Sequence, residues 1–315
     1  MSTVNTMRAI SQDVLGGPEV LREVRVERPV PGPNQVLVRV RAAGLNPTDW
    51  KHRATGGFLG EPPFVLGWDV SGVVEAVGIG VATFTPGDEV FGMLPYPYGH
   101  GSHAEYVIAP VRALTHKPSL IDHTQAGALP LVSLTAWQAL VENADVQPGQ
   151  RVLIHAAAGG VGHVAVQIAK ARGAYVIGTA SAGKHDFLRE IGADETIDYR
   201  ETDFVEAVKD VDVVLDTLGG ETSVRSLRVL RPGGIVVSIL VGSDEFREEA
   251  ERLGVRALRM LVDADRAGMK AIADLVEQGK LRATIADTFP LTDAAEAHAL
   301  GDTGRTTGKL VLTVD

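Results

Sequence analysis

Val152-Leu153-Ile154-His155-Ala156-Ala157-Ala158-Gly159-Gly160-Val161-Gly162, followed by Tyr175-Val176-Ile177-Gly178-Thr179-Ala180-Ser181, is the stretch whose reading decides the fold. A continuous apolar run enters a glycine turn, and the turn opens a segment with Val161, Val164, Ala165 and Ile168 on one helical face. A second apolar run begins at Tyr175, and further strand patterns fall at 196–197, 211–215 and 235–240. Continuous apolar strands joined by helices require a parallel sheet covered on both faces. This half of the chain is therefore expected to be a Rossmann doubly wound parallel sheet.

The turn fits the dinucleotide fingerprint with Ala157 in place of the first glycine. Ala158, Gly159, Gly160, Val161 and Gly162 are the expected cofactor contacts. Gly159 lets the backbone approach a pyrophosphate, Gly162 lets helix and strand pack closely, and the helix N-terminus offers free N–H groups to the phosphates. A fold that binds NAD places an acidic residue about 20 residues past the turn to accept from the ribose 2′-hydroxyl. Here that place holds Gly178-Thr179-Ala180-Ser181, followed by Lys184. A hydroxyl and an ammonium suit a 2′-phosphate, which a carboxylate would repel. Tyr199, at the end of the next strand, offers another hydroxyl, whereas Asp186 lies inside the following helix. NADPH is the expected cofactor.

Upstream the pattern is β. Val36, Val38 and Val40 alternate with other residues, and short strand patterns at 70–77, 88–91 and 104–108 are separated by turns such as Pro86-Gly87-Asp88. An antiparallel barrel or sandwich is expected there, then a buried helix over 131–141. Strand-like residues return at 309–314, which brings the tail back to the first domain. The boundaries are 1–122 with 281–315 for the β-rich domain and 123–280 for the nucleotide-binding one.

Of the 315 residues, 45% are hydrophobic and 22% charged, enough apolar surface for two cores. The net charge of −10 argues against nucleic acid as a partner. No apolar stretch approaches the ~18 residues of a membrane span, and the first 17 residues lack the apolar core of a secretory signal. A cytoplasmic protein that does not engage the membrane is expected. The chain has no cysteine, which removes disulfides, thiolate zinc sites and cysteine nucleophiles. His100 and His103 can be grouped on paper with Asp69 and Glu105, but the spacing fits no regular zinc motif, so loop histidines and no metal are expected.

Motifs along nearly the whole chain carry a resemblance: Gly44-Leu45-Asn46-Pro47-Thr48-Asp49, Gly67-Trp68-Asp69-Val70-Ser71-Gly72, Pro86-Gly87-Asp88-Glu89-Val90, the glycine turn, Ile197-Asp198-Tyr199-Arg200, and Gly308-Lys309-Leu310-Val311. The chain resembles the zinc-independent quinone-oxidoreductase (zeta-crystallin-like) branch of the medium-chain dehydrogenase/reductase superfamily. The resemblance implies an α/β protein, a GroES-like catalytic domain plus the Rossmann domain, with the active site in the cleft. Zinc dehydrogenases of this superfamily take metal ligands from positions that Asn46 and Trp68 hold here. Without those ligands nothing polarises an alcohol.

Zinc-free members pass hydride from NADPH to a quinone or an α,β-unsaturated carbonyl, and this is the implied activity, with a small-molecule acceptor as partner. The resemblance places the loop of Asn46, Asp49 and Lys51 over the nicotinamide. From it Lys51 is expected to donate to the substrate carbonyl, steadied by Asp49, with Asn46 as a second polar contact; an exposed Asp–Lys pair is the bland alternative. A tyrosine donor used by some enoyl-thioester reductases aligns with Phe58, which cannot donate. Trp50, Phe58 and Trp68 are either a wall for a flat acceptor or ordinary core. Thr135, Leu240 and Val241 match family positions near the nicotinamide. A homodimer through an edge strand at 255–262 is implied, and the rival readings are a thioester enoyl reductase and an NADPH-binding sensor of low turnover.

Overall fold

The computed structural model describes residues 5–240 and 244–315, so Val241 lies outside the described residues. It divides into two compact units, Met1–Leu131 with Asp263–Asp315, and Val132–Val262.

The second unit is built on six strands. Their spatial order is Glu195–Asp198, Tyr175–Ala180, Arg151–Ile154, Val211–Asp216, Leu230–Ser238 and Arg256–Arg259, and every pairing is parallel. In chain order this is 3-2-1-4-5-6, the doubly wound arrangement, with its switch point between Arg151–Ile154 and Val211–Asp216. Leu153, Ile177, Val214 and Val236 are fully buried, because each central strand is covered on both faces. The strand expected over 235–240 stops at Ser238, and Leu240 stands beyond its end. The helix expected over 131–141 runs as an α-helix from Pro130 to Trp137 and then widens into a π-helical stretch, Gln138–Asn143.

The first unit holds a seven-stranded sheet around the long strand Gln35–Leu45. Asp69–Val77 pairs with it on one side; on the other, Tyr106–Pro110 pairs with its first half and Lys309–Thr313 with its second, all antiparallel. The tail therefore returns across more than 260 residues of sequence to sit beside Gly44 and Leu45. A smaller sheet joins Arg22–Glu27, Thr6–Gln12 and Phe64–Val65.

Two segments expected in the nucleotide-binding half group with the first unit instead. The helix His123–Ala128, capped by the Asp122 carboxylate on the Gln125 N–H at 2.8 Å, packs on Gln35–Leu45. The helix Arg266–Glu277 packs on the strand Leu114–His116, and the Glu277 carboxylate accepts from the Ser119 N–H at 2.6 Å. Helical periodicity shows which face of a helix is buried but not against which sheet, so the boundaries move to 131 and 263. Among the described residues no helix is long and apolar enough to cross a membrane.

Candidate active site

The glycine turn leaves the end of the first parallel strand and starts the helix Gly160–Ala171 at Gly159, with no side chain capping the helix. Gly159, Gly160 and Val161 are half-buried there and Ala158 is buried. The first N–H groups of the helix stay available to an anion. Gly162 is required by packing: a Cβ added to it would lie 2.4 Å from the Ala156 carbonyl oxygen and 2.6 Å from the Ala157 Cα. The base of the turn is tied to neighbouring strands. The Ala156 N–H donates to Thr179 Oγ1 at 3.2 Å, the Thr217 hydroxyl donates to the His155 carbonyl at 2.9 Å, and the buried His155 ring bonds Ser226 Oγ at 2.9 Å.

At the end of the second strand Ser181 and Lys184 are half-buried in the bend 181–184, while Tyr199 is exposed at the end of the third. The nearby carboxylates are engaged: Asp198 accepts from the N–H groups of Ala182 and Arg200, and Asp186 pairs with Arg189 at 2.7 Å. Thr135 is buried and Leu240 half-buried.

The catalytic residues expected from the first unit are rearranged. Asn46 precedes Pro47 at the start of the helix Pro47–Thr55, and its backbone N–H donates to Asp49 Oδ2 at 2.6 Å, an arrangement that closes the first turn. Both ends of its amide are occupied. Nδ2 donates to Asp69 Oδ2 at 2.9 Å, and Oδ1 accepts from Lys309 Nζ at 2.5 Å. Asn46, fully buried, therefore has no amide group left for a substrate. Asp49 is equally buried, and its charged neighbours are Asp69 and Lys309. Lys51 is exposed. Two residues along a helix turn the side chain about 200°, so the Asp49–Lys51 pair expected from the sequence does not form. Burial pushes the Asp49 carboxyl up to about 8, with the like charge of Asp69 adding to it.

Above this cluster the same helix contributes to an aromatic box. The His52 ring lies 5.1 Å from Trp68 and 6.0 Å from Phe58, and Tyr96 lies 5.3 Å from Trp68. The segment carrying Tyr96 is pinned to Trp68 twice, by Leu94 N–H to the Trp68 carbonyl at 2.8 Å and by the Trp68 indole N–H to the Pro97 carbonyl at 3.1 Å. Thr48 Oγ1 donates to the Tyr96 hydroxyl at 3.0 Å, so the phenolic proton remains to be given elsewhere. Of the three aromatics left open between wall and core, Phe58 and Trp68 belong to the box, Trp68 fully buried in it, and Trp50 does not: it faces His298 at 6.4 Å and Gly301. Sequence reasoning missed Tyr96, His52, Thr48 and Lys309. The one available signal was Lys309 following Gly308 in the returning tail.

The histidines expected in loops divide. His100 donates from Nδ1 to the Val65 carbonyl at 2.6 Å. His103 is fully buried, with neither ring nitrogen partnered, and burial drives its pKa down to about 3. Glu105 is bound to Arg8 at 2.8 Å. Among the described residues no group of three or more His, Cys, Asp or Glu is placed to hold a metal ion.

Comparison with known proteins adds the family. Residues 32–119 match the alcohol dehydrogenase GroES-like domain and residues 191–312 the zinc-binding dehydrogenase domain. A 2-haloacrylate reductase from Burkholderia is 38% identical over 323 residues, covering 94% of this chain and 96% of that protein. The quinone oxidoreductase of Coxiella burnetii superposes with a TM-score of 0.93 at 39% identity, over 99% of this chain and all of that one. The Escherichia coli quinone oxidoreductase solved with NADPH superposes at 0.88 with 30% identity, over 98% of this chain and all of that one. The chain belongs to the quinone-oxidoreductase branch of the medium-chain dehydrogenase/reductase superfamily.

As a member of this branch it is an NAD(P)H-dependent oxidoreductase. The matched zinc-binding dehydrogenase domain implies a metal, and the residues present do not fit one. At the two positions that supply zinc ligands elsewhere in the superfamily, the Asn46 amide is spent on Asp69 and Lys309, and the Trp68 indole is locked in the aromatic box. The Lys309 ammonium lies within 3.5 Å of Asp69 Oδ2, where it would repel a divalent cation.

Proposed function

We propose that the protein is an NADPH-dependent reductase that delivers hydride to an electron-poor carbon of a quinone or an α,β-unsaturated carbonyl, without zinc. The observation that carries the cofactor choice is the end of the second strand. It presents Ser181 and Lys184 and no free carboxylate, since Asp186 and Asp198 are turned to Arg189 and to backbone N–H groups. Replacing Lys184 by Ala removes a charge-assisted contact of about 1.5–3 kcal/mol. It should lower kcat/KM for NADPH by roughly tenfold to a hundredfold and leave the value for NADH nearly unchanged. Wild-type protein that uses NADH as efficiently as NADPH would overturn the reading.

The aromatic box is the proposed acceptor site. Phe58, half exposed, offers a flat apolar face backed by the buried rings of His52 and Trp68, and the Tyr96 hydroxyl, fixed by Thr48, donates its proton to the oxygen on which charge develops. NADPH, which the turn at 158–162 with Ser181 and Lys184 would hold, would supply the hydride that reduces the acceptor carbon. The enolate or quinol oxygen is stabilised by the hydrogen bond, and a proton completes the reduction. The relatives' names, a quinone oxidoreductase and a 2-haloacrylate reductase, describe acceptors of this electron-poor type. NADPH oxidation measured against benzoquinone, 9,10-phenanthrenequinone, methyl vinyl ketone, 2-alkenals and crotonyl thioesters tests the assignment. Turnover confined to thioesters would favour a biosynthetic enoyl reductase, and tight NADPH binding with no turnover on any of them a sensor. The strand Arg256–Arg259 is one of the two edge strands of the parallel sheet, and a homodimer across it is part of the same proposal, to be checked by light scattering.

A further inference from the structure

The buried cluster beneath the aromatic box contains a group that the reduction itself does not use. Lys309 comes from the C-terminal strand Lys309–Thr313 and is 2% exposed. Its ammonium faces three oxygens: the Leu45 carbonyl at 2.7 Å, Asn46 Oδ1 at 2.5 Å and Asp69 Oδ2 at 3.5 Å. Three N–H donors meet three oxygens, one of them on a carboxylate, as in a site for a small cation. The remaining Asp69 oxygen accepts from the Leu131 N–H at 2.6 Å, so this carboxylate is held in place independently of the lysine.

The position of these oxygens matters more than their number. Leu45 and Asn46 lead directly into the helix that carries Thr48 and His52, and Asp69 is the neighbour of Trp68. One charge thus ties together the two segments whose rings, His52 and Trp68, pack on each other in the box. It also explains why Asn46 stands where a metal ligand stands in zinc-dependent relatives: its carbonyl oxygen solvates a cation that the chain supplies itself.

The geometry points to Lys309 as a tethered cation in a buried oxygen site, a positioning residue that fixes the packed His52 and Trp68 rings behind the acceptor site. Removing the charge leaves a carboxylate and two carbonyl oxygens without their cation. Shortening the side chain to Ala also leaves the space it filled, which makes a site for a primary ammonium ion. This rests on the reading of the box as the acceptor site, and the test separates the two.

Lys309→Ala, Lys309→Met and wild type are compared in thermal unfolding and in NADPH-dependent reduction of the best quinone or enone. Lys309→Ala is expected to lower the melting temperature and to reduce kcat at least tenfold, with KM for NADPH within about twofold. Methyl-, ethyl- or propylammonium chloride at tens of millimolar should then raise both melting temperature and kcat severalfold. Tetramethylammonium chloride at equal ionic strength should do neither, being unable to donate. Lys309→Met, which refills the space without charge, should lose kcat and stay unresponsive to amines. Unfolding reports on the cation site without reference to any acceptor. A melting temperature and kcat that ignore the amines overturn the tethered cation. A melting temperature that responds while kcat does not overturns the positioning role. If Lys309→Ala is recovered only unfolded, refolding with propylammonium decides, native circular dichroism supporting the proposal and its absence overturning it. An acceptor site placed wrongly shows itself separately, as wild-type turnover that is indifferent to Tyr96→Phe.

Discussion

Lys51 and Lys309 have the same side chain and opposite surroundings. Lys51 sits on the outer face of a nine-residue helix and is exposed, whereas Lys309 is enclosed by oxygens in the centre of the first unit. The Asn-Pro-x-Asp-x-Lys spacing singles out Lys51, because in a linear pattern it is the cation next to Asp49. The helix turns that cation away, and a lysine 258 residues further on takes its place beside Asp49. Lys51→Met is accordingly expected to leave kcat within about twofold. Tyr96→Phe removes the proposed donor to the developing oxyanion and should lower kcat by about 10²–10³-fold, the usual loss for one such donor. Steady-state kinetics of the two variants with one acceptor check both. Nothing in the sequence marked Tyr96, since it stands in a segment of prolines, glycines and tyrosines whose path is set by contacts with Trp68.

Among elements, the glycine turn was the most legible. It is local: strand, turn and helix follow one another, and hydrophobic periodicity with backbone sterics is enough to place them. The structure separates the roles of its glycines. Gly162 touches the Ala156 carbonyl and Ala157 Cα so closely that Gly162→Val should cost about 1–3 kcal/mol as an overpacked contact, read as a lowered melting temperature without cofactor. A Cβ on Gly159 would meet only the Ala156 carbonyl oxygen, at 3.2 Å. Gly159→Ala is expected to keep the melting temperature within a few degrees and to weaken NADPH binding instead, measured by fluorescence titration. The helices His123–Ala128 and Arg266–Glu277 were less legible, because an amphipathic pattern is satisfied by any apolar surface. Their assignment to the first unit came from packing: Gly127 lies against Ala42 of the long strand, and the Glu277 carboxylate accepts from the Ser119 N–H.

At the scale of the molecule, buried imidazoles set the response to acid. Burial lowers His103 to about 3 and His155 to about 4, and His298, beside the Arg53 guanidinium, also falls well below its ordinary value. In the unfolded chain each titrates near 6.5. Between that value and the lowered one the unfolded state binds protons that the native state refuses. Stability is therefore lost as pH falls from about 6.5 toward 4, by about 1.4 kcal/mol per pH unit for each histidine that stays neutral. Asp49, held up to about 8, and Asp69, also raised by burial, act in the opposite sense, since the native state keeps protons there that the unfolded chain loses. Three imidazoles against two carboxyls leave the loss of stability in acid as the net effect. Melting temperatures measured from pH 7 to pH 4.5 should fall steadily, and His103→Phe should flatten the slope by about one proton's worth. An unchanged slope would show that His103 is charged in the folded protein.

The sequence by itself determined the parallel sheet, the glycine turn, the β-rich first domain with its returning tail, and the absence of thiolate ligands. Each of these depends on local periodicity, on backbone sterics or on composition, and such properties survive in a linear reading. Only the tertiary structure decided which polar groups are buried together. Asn46, Asp49, Asp69 and Lys309 are scattered over more than 260 residues, and Thr48 meets Tyr96 across 48. Desolvation and pairing act on groups that are close in space. Which lysine is solvated and which becomes a buried cation was therefore settled by the packing of the C-terminal strand beside Gly44 and Leu45.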